Sequence, residues 1–231
     1  MQDQTETETV NGLPIYISLT FGLTVLTAIV WFTVAAGSRT FLLLAIGWAV
    51  VQSILGIAGF YHDTASMPPR IMLAGIFPAL VVITITFLTK KGRTFIDGIN
   101  LKTLTYFHTI RIPVEMVLLL LFQQGVMSRY ITFEGTNFDI FSGVTASFAA
   151  YFAFRSPEVN KKLLLGWNIV CLLLLLNVVI TAIFAIPSPF QKLSLEQPNL
   201  AVLYFPFNLL PALLVPMVFF GHLAAIRQLV K

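Results

Sequence analysis

The chain has 231 residues, of which 57% are hydrophobic and only 10% are charged, and its mean hydropathy is +0.87. A water-soluble domain averages about 25% charged residues, so this composition excludes an ordinary soluble protein and indicates an integral membrane protein. The formal charge of +4 does not indicate a nucleic-acid partner, because the basic residues stand in short stretches between apolar runs.

The N-terminus, "MQDQTETETVNG", is acidic and has no basic region of the kind that opens a signal peptide. We predict that residues 1–12 form a short solvated tail and that residues 13–231 form a single transmembrane domain. A spanning helix needs about 20 mostly apolar residues. Seven runs qualify, and the fold class is therefore all-α, a bundle of seven transmembrane helices. The predicted spans are residues 13–36, 41–61, 70–89, 103–125, 137–154, 162–186 and 201–226.

The basic residues between these runs predict the orientation. Ten of the 14 Lys and Arg residues fall on the side of the C-terminus: Arg39, Lys90, Lys91, Arg93, Lys102, Arg155, Lys161, Lys162, Arg227 and Lys231. Arg70, Arg129 and Lys192 fall on the opposite side, and Arg111 lies inside the fourth run. Because basic loops stay in the cytoplasm, we predict an external N-terminus and a cytoplasmic C-terminus. The expected location is the cell membrane, with a bacterial inner membrane favoured.

Two helix starts carry capping signals. In "TNFD", Thr136 and Asp139 have the spacing of a capping box and predict the start of the fifth helix. In "RSPEV", Ser156 followed by Pro157 predicts the start of the sixth helix.

The fourth run, "HTIRIPVEMVLLLLF", holds the main candidate site. His108, Arg111 and Glu115 are spaced three and four residues apart, so they share one helical face. A charge at the centre of a membrane costs roughly 2.5–3.5 kcal/mol on insertion scales. The face must therefore point into the protein and find partners. Pro113 leaves the carbonyl of Thr109 without its helical donor, and Arg111 has N–H groups to offer it.

Three interpretations of this cluster stay open. It is an Arg111–Glu115 ion pair that fixes packing around a proline kink, or a polar site for an ion, a proton or an anionic ligand. In the third, His108 and Arg111 extend to the cytoplasmic surface, which leaves Glu115 unexplained.

Four amides lie inside other predicted helices: Gln52, Asn168, Asn177 and Asn208. Their expected role is hydrogen bonding between helices. All four are also candidates for lining the cavity that contains Glu115, and Asn168, Asn177 and Asn208 are candidate partners of Arg111 or Glu115.

His108 and His222 are expected at similar depth in the cytoplasmic leaflet, on different helices. Two such histidines could ligate haem, although unrelated histidines near an interface explain the match in depth equally well. No cofactor and no metal site is predicted. The one cysteine, Cys171, lies in an apolar run and excludes a disulfide framework and a cysteine-based zinc site.

The stretches "PSPFQKLSLEQPN" and "YFPFNLLPALLVPMVFFGHLAAIRQL", about the last fifth of the chain, resemble an uncharacterised family of bacterial polytopic membrane proteins. The resemblance implies a membrane-embedded chain and implies no activity.

Together these observations predict a multi-pass membrane protein, of which a small transporter, a channel-like protein or a sensor is the favoured class. Its partners would be the lipid bilayer and a small molecule or ion, with self-association left open. A membrane-embedded enzyme or a haem-type redox carrier using His108 and His222 is the alternative. A purely structural membrane subunit is the third class.

Overall fold

The computed structural model describes Val10, residues 12–189 and residues 191–231. Most of the predicted tail, residues 1–12, lies outside these residues. In the part of the chain that is described, helices are the only regular secondary structure.

Eight helices organise the described residues, and short 3-10 turns occur between and within them. The helices are α1 (Ile15–Ala36), α2 (Arg39–Ile57), α3 (Ile71–Leu88), α4 (Lys90–Asp97), α5 (Leu101–Gln123), α6 (Ile140–Phe154), α7 (Lys161–Ala185) and α8 (Leu210–Val230).

Six of these helices, α1, α2, α3, α5, α7 and α8, are long and apolar enough to cross a membrane. The seventh predicted span corresponds to α6, which is apolar but has only 15 residues. Two boundaries were predicted wrongly. Residues 90–97 form the amphipathic helix α4 instead of a loop, and α8 begins at Leu210, nine residues after the predicted start at residue 201.

The bundle is built around α5 and α8. Over an apolar stretch of 18 residues in each helix, 56% of the α5 residues and 61% of the α8 residues are buried, whereas only 17% are buried in α2 and in α3. Helix α5 packs between α1 and α6, and α8 packs against α7. Phe32 of α1 contacts both central helices through Phe107 and Phe220, at ring-centroid distances of 5.1 and 5.9 Å. The inner face of α5 therefore lies in the interior of the bundle.

Helix α2 is tied to α3 and α8 at carbonyls that prolines have freed. A proline has no N–H, so the carbonyl four residues earlier lacks its helical donor. Pro78 frees the carbonyl of Ala74, which accepts from Gln52 Nε2 at 2.9 Å. Pro216 frees the carbonyl of Ala212, which accepts from Trp48 Nε1 at 2.8 Å. Helices α3 and α8 each contain a π-helical turn at these places, Ile71–Ile76 in α3 and Leu210–Leu214 in α8.

At the end of the bundle where α8 terminates, ion pairs hold α4 against α8. We call this the α4 end. Asp97 of α4 accepts from Lys231 Nζ at 2.7 Å and from Arg227 Nε at 3.1 Å. The hydrogen bond from Lys231, followed by that from Arg227, lowers the pKa of Asp97 below its ordinary value of 3.8.

At the opposite end, residues 124–139 pack against residues 186–189 and 191–209, and we call these segments the cap. Asn199 Oδ1 accepts from the amide of Ser128 at 3.1 Å, and Gln197 Nε2 donates to the carbonyl of Met127 at 2.7 Å. Ala201 N donates to the carbonyl of Val126 at 3.0 Å. The first nine residues of the last predicted span, residues 201–209, belong to this cap.

Both capping predictions were wrong. Helix α6 begins at Ile140, and the Thr136 hydroxyl donates to the carbonyl of Tyr130 at 3.0 Å instead of capping the helix. Helix α7 begins at Lys161, where Asn160 accepts from the amide of Leu163. The physical reason in the first case is that the carboxylate of Asp139 is engaged elsewhere, as described next.

Candidate functional site

Three ionisable side chains of α5 point into the bundle. His108, Arg111 and Glu115 expose 0%, 3% and 2% of their surfaces. A 3-10 turn, His108–Ile110, precedes Arg111, and the α-helix resumes through Pro113 to Gln123. The three side chains thus follow one another along the inner face of a membrane-length helix.

Arg111 pairs with Asp139, the residue that precedes α6. Arg111 Nη1 lies 2.8 Å from Asp139 Oδ1, and the two side chains are 3% and 6% exposed. The prediction that Arg111 pairs with Glu115 was therefore wrong. Asp139 also accepts from the Ser142 hydroxyl at 3.4 Å.

Although Arg111 is paired by charge, its guanidinium is poorly satisfied. None of its three side-chain nitrogens makes a hydrogen bond of good geometry to any described residue. The contact with Asp139 is close but misaligned. Nη1 lies within ion-pair distance of Oδ1, but its N–H bonds do not point at that oxygen well enough for a hydrogen bond. Among the described residues, Arg111 does not make the predicted hydrogen bond to the carbonyl of Thr109. A buried guanidinium with unused N–H groups is a donor surface for an anion or a polar ligand.

Glu115 is held by Asn137, a residue of the cap. Asn137 Nδ2 lies 2.8 Å from each carboxylate oxygen of Glu115 and 2.9 Å from the carbonyl of Ile131. Asn137 Oδ1 accepts from the amide of Asp139 at 2.8 Å. One side chain therefore joins Glu115, the cap and the start of α6, and it fixes the position of the Glu115 carboxylate.

Helix α6 can approach α5 closely because residue 143 is glycine. A Cβ at Gly143 would lie 3.0 Å from Ile112 Cγ1, 3.1 Å from Ile112 N and 3.2 Å from Arg111 Cβ. The absence of a side chain at this position brings the Asp139 turn within reach of Arg111.

One turn before Arg111, two histidines stack. The rings of His108 and His222 lie 3.9 Å apart between centroids and are inclined by 15°. Trp167 of α7 completes the group, with its ring 5.6 Å from His108 and 5.8 Å from His222. The sequence predicted only that the two histidines lie at similar depth, and in the structure their rings are in direct contact.

The hydrogen bonds around His222 assign its tautomer. Asn168 Nδ2 donates to the carbonyl of Leu164 at 2.8 Å, which turns Asn168 Oδ1 towards His222 Nδ1 at 2.8 Å. Because an amide oxygen only accepts, His222 Nδ1 carries the proton and Nε2 presents a lone pair. His222 Nε2 and both ring nitrogens of His108 are buried without a hydrogen-bond partner among the described residues.

This geometry does not fit a haem held between the two histidines. Axial ligands point their in-plane nitrogen lone pairs at an iron from opposite faces of the macrocycle. Rings stacked face to face at 3.9 Å direct those lone pairs sideways and leave no space for a porphyrin between them. Within the described residues there is also no group of three or more His, Cys, Asp or Glu that could hold a metal ion.

The other predicted amides join chain segments at other places. Asn208 Nδ2 donates to the carbonyl of Gln52 at 2.7 Å, and Gln52 Oε1 accepts from the hydroxyl of Tyr61. Asn177 Nδ2 donates to the carbonyl of Thr136 at 3.2 Å. Of the four amides, only Asn168 belongs to the group around His108 and Arg111.

The full site therefore has two layers. A carboxylate layer consists of Arg111, Glu115, Asn137 and Asp139, and a histidine layer consists of His108, Trp167, Asn168 and His222. Sequence reasoning missed Asn137 and Trp167 and assigned Asp139 only to a cap. The available signal was the short "TNFD" stretch, which places an amide and a carboxylate at the mouth of an apolar helix.

A family model described as a domain of unknown function, DUF8737, matches residues 68–230. The match begins before α3 and includes both layers of the site. No curated protein and no solved structure matches the chain.

Proposed function

The chain belongs to the family of the domain of unknown function DUF8737, and we propose that it is a small membrane transporter or channel-like protein that handles protons or small cations. The working site is the carboxylate layer, extended by the histidine layer. The observation that carries this proposal is the burial of two carboxylates, Glu115 and Asp139, in one layer with the single guanidinium of Arg111. Ionisable residues in membrane helices are costly, and they commonly mark ion and proton pathways.

Charge counting favours a proton or a cation as the transported species. Arg111 supplies one positive charge, whereas Glu115 and Asp139 supply two negative charges when both are ionised. A buried net charge is unfavourable unless it is neutralised. The layer is neutral when one carboxyl binds a proton or when a small cation joins it. Glu115 is the candidate for this exchange, because its hydrogen-bond donor, Asn137, is itself uncharged.

The histidine layer extends the site towards the α4 end. His108 and Glu115 are seven residues apart on α5, about 10 Å along the helix, or roughly a third of the hydrocarbon thickness of a bilayer. The lone pair on His222 Nε2 can accept a proton, and neutral imidazoles relay protons between their two nitrogens. We propose that protons pass between the carboxylate layer and the α4 end through these rings.

The ten-to-three distribution of basic residues supports an orientation with the α4 end in the cytoplasm and the cap outside. We retain that orientation, and a bacterial inner membrane, as part of the proposal. The resemblance of the C-terminal stretch to uncharacterised bacterial membrane proteins supports the latter.

Proton flux into liposomes tests the proposal. Purified protein is reconstituted with a pH-sensitive dye inside, and a potassium gradient with valinomycin drives the flux. We expect flux above that of protein-free vesicles, and we expect Glu115→Gln to reduce it to that background. The matched control is Glu134→Gln, which changes an exposed carboxylate of the cap and should leave the flux unchanged. Protection of the buried Cys171 thiol from labelling by a maleimide dye verifies that each variant is folded.

Two results would overturn the proposal. Wild-type flux in folded Glu115→Gln would mean that the carboxylate layer only holds helices together. If the wild-type protein conducts neither protons nor sodium or potassium ions, the transport function itself is refuted and the structural class is favoured.

A further inference from the structure

An apolar cleft of about 730 Å³ lies between α2 and α3 and is floored by α8. Its walls include Leu44 and Trp48 from α2, Val82 and Ile83 from α3, and Met217 and Phe220 from α8. This volume is within the range of about 300–1,000 Å³ that is typical of ligand pockets. It lies apart from both layers of the candidate site, because none of their residues lines it.

The cleft lies on the α4 side of the hydrogen bonds that attach α2 to α3 and α8. Trp48 and Gln52 attach α2 to the proline-freed carbonyls of α8 and α3 near the middle of the bundle. Beyond these bonds, towards the α4 end, α2 and α3 separate. Both helices are mostly unburied in the protein, and large apolar side chains such as Leu43, Leu44 and Val82 are 59–71% exposed. The cleft therefore opens sideways onto the surface that faces lipid.

The polar residues of the lining gather at the α4 end. Ser38 and Thr40 belong to the first turn of α2, Thr86 to the last turn of α3, and Lys91 to the first turn of α4. Lys90 and Arg93 stand beside Lys91 on α4, and Lys90 and Lys91 are both exposed. The cleft thus has an apolar body and a cationic, hydroxyl-lined mouth at the α4 end of the bundle.

We propose that this cleft binds one anionic glycerophospholipid from the bilayer. An acyl chain lies between α2 and α3 against Trp48, and the headgroup phosphate lies at Lys91. A lysine at the membrane surface changes the affinity for an anionic lipid by about fivefold, while the apolar walls accept the chain of any lipid. The site should therefore prefer lipids with an anionic headgroup and accept different acyl chains. This inference stands independently of the transport function.

Quenching of Trp48 by brominated lipids tests the proposal. The full-length protein with Trp31→Phe and Trp167→Phe retains Trp48 as its one tryptophan. It is placed in vesicles containing brominated phosphatidylglycerol or brominated phosphatidylcholine at equal mole fractions. We expect half-maximal quenching at about fivefold less brominated phosphatidylglycerol than phosphatidylcholine. Lys91→Gln should abolish this difference, whereas Lys102→Gln, an exposed lysine in the first turn of α5 that does not line the cleft, should preserve it.

A second pair of variants tests the apolar body. Ala79 lines the cleft, so Ala79→Phe should block the chain and suppress quenching by both lipids; Val81 does not line it, so Val81→Phe should not. Equal quenching by both lipids, or a preference that survives Lys91→Gln, would refute the headgroup site. Absence of quenching in both lipids would refute lipid occupancy, and a dimer mass in native mass spectrometry would then identify a second copy as the occupant.

Discussion

Replacing Arg111 with methionine should strongly destabilise the protein, because it strands the carboxylate of Asp139 in the interior. The pair is 2.8 Å apart and its side chains are only 3% and 6% exposed. Removal of one partner of such a pair costs about 3–5 kcal/mol. For a chain of this length, 1 kcal/mol corresponds to about 2–4 °C in Tm. The expected loss is therefore about 6–20 °C.

The double variant Arg111→Met with Asp139→Asn should recover most of that loss. No charge of the pair remains, and replacing a buried ion pair by neutral groups is often neutral or stabilising. The variant Arg111→Met with Glu115→Gln should not recover, since Asp139 stays ionised and unpaired. The two double variants thus distinguish the partner in the structure, Asp139, from Glu115, the partner that helical spacing alone suggests.

The chain contains its own reporter for this experiment. Cys171 is the one cysteine, and it is free and fully buried on α7. A maleimide dye that fluoresces on reaction should label it only when the bundle opens, so labelling against temperature in detergent gives an apparent Tm for each variant. If the Glu115 double variant recovers stability and the Asp139 double variant does not, the assignment of Asp139 as the partner is refuted.

Three further predictions concern other parts of the molecule. Gly56→Ala should lower the apparent Tm, since a Cβ there would lie 2.7 Å from the Asn208 side-chain oxygen, whereas Gly47→Ala on the same helix has open space and should be neutral or stabilising. Stability should fall as the pH drops below about 3.8, because the lowered pKa of Asp97 stabilises the folded state only while that carboxylate is ionised; Asp97→Asn should remove this dependence, and an unchanged pH profile would argue against the pairing. With Cys171 replaced by serine, a cysteine at exposed Glu134 should react with an impermeant maleimide in intact cells, and one at exposed Thr94 only after permeabilisation; the reverse pattern would invert the proposed orientation.

The sequence was sufficient to predict the apolar helices, because a bilayer requires long apolar runs and the chain supplies them. It was also sufficient to predict that His108, Arg111 and Glu115 lie on one face of a helix. The partners of these residues could not be predicted. Asp139 is 28 residues after Arg111 along the chain, and the contact depends on how the cap folds and on how closely α6 approaches at Gly143.

The two misplaced boundaries have different causes. Apolar content does not distinguish a residue buried in lipid from one buried in protein. Residues 201–209 are apolar because they pack within the cap, and Val202, Leu203 and Tyr204 are at most 5% exposed. Helix α4, "KKGRTFID", is short and charged, and it is stabilised by ion pairs between Asp97 and the far end of the chain. Neither arrangement has a local signature.

The buried polar groups of this protein differ in how well the described residues satisfy them. Gln52 uses its amide N–H on the carbonyl of Ala74 and its oxygen on Tyr61, and Trp48 uses its N–H on the carbonyl of Ala212. These bonds close gaps that prolines made in neighbouring helices, so they explain why the side chains are polar.

The same explanation does not extend to the centre of α5. Pro113 also frees a carbonyl, yet Arg111 does not use it, and the nitrogens of Arg111 and His108 find no hydrogen-bond partner in the described part of the chain. Leaving such groups unsatisfied costs about 1–3 kcal/mol each, and more when they are charged. A purely structural role would be served better by apolar residues of similar volume. The ring nitrogens of His108 and His222 can take up and release a proton, which is the property that the proposed proton pathway requires.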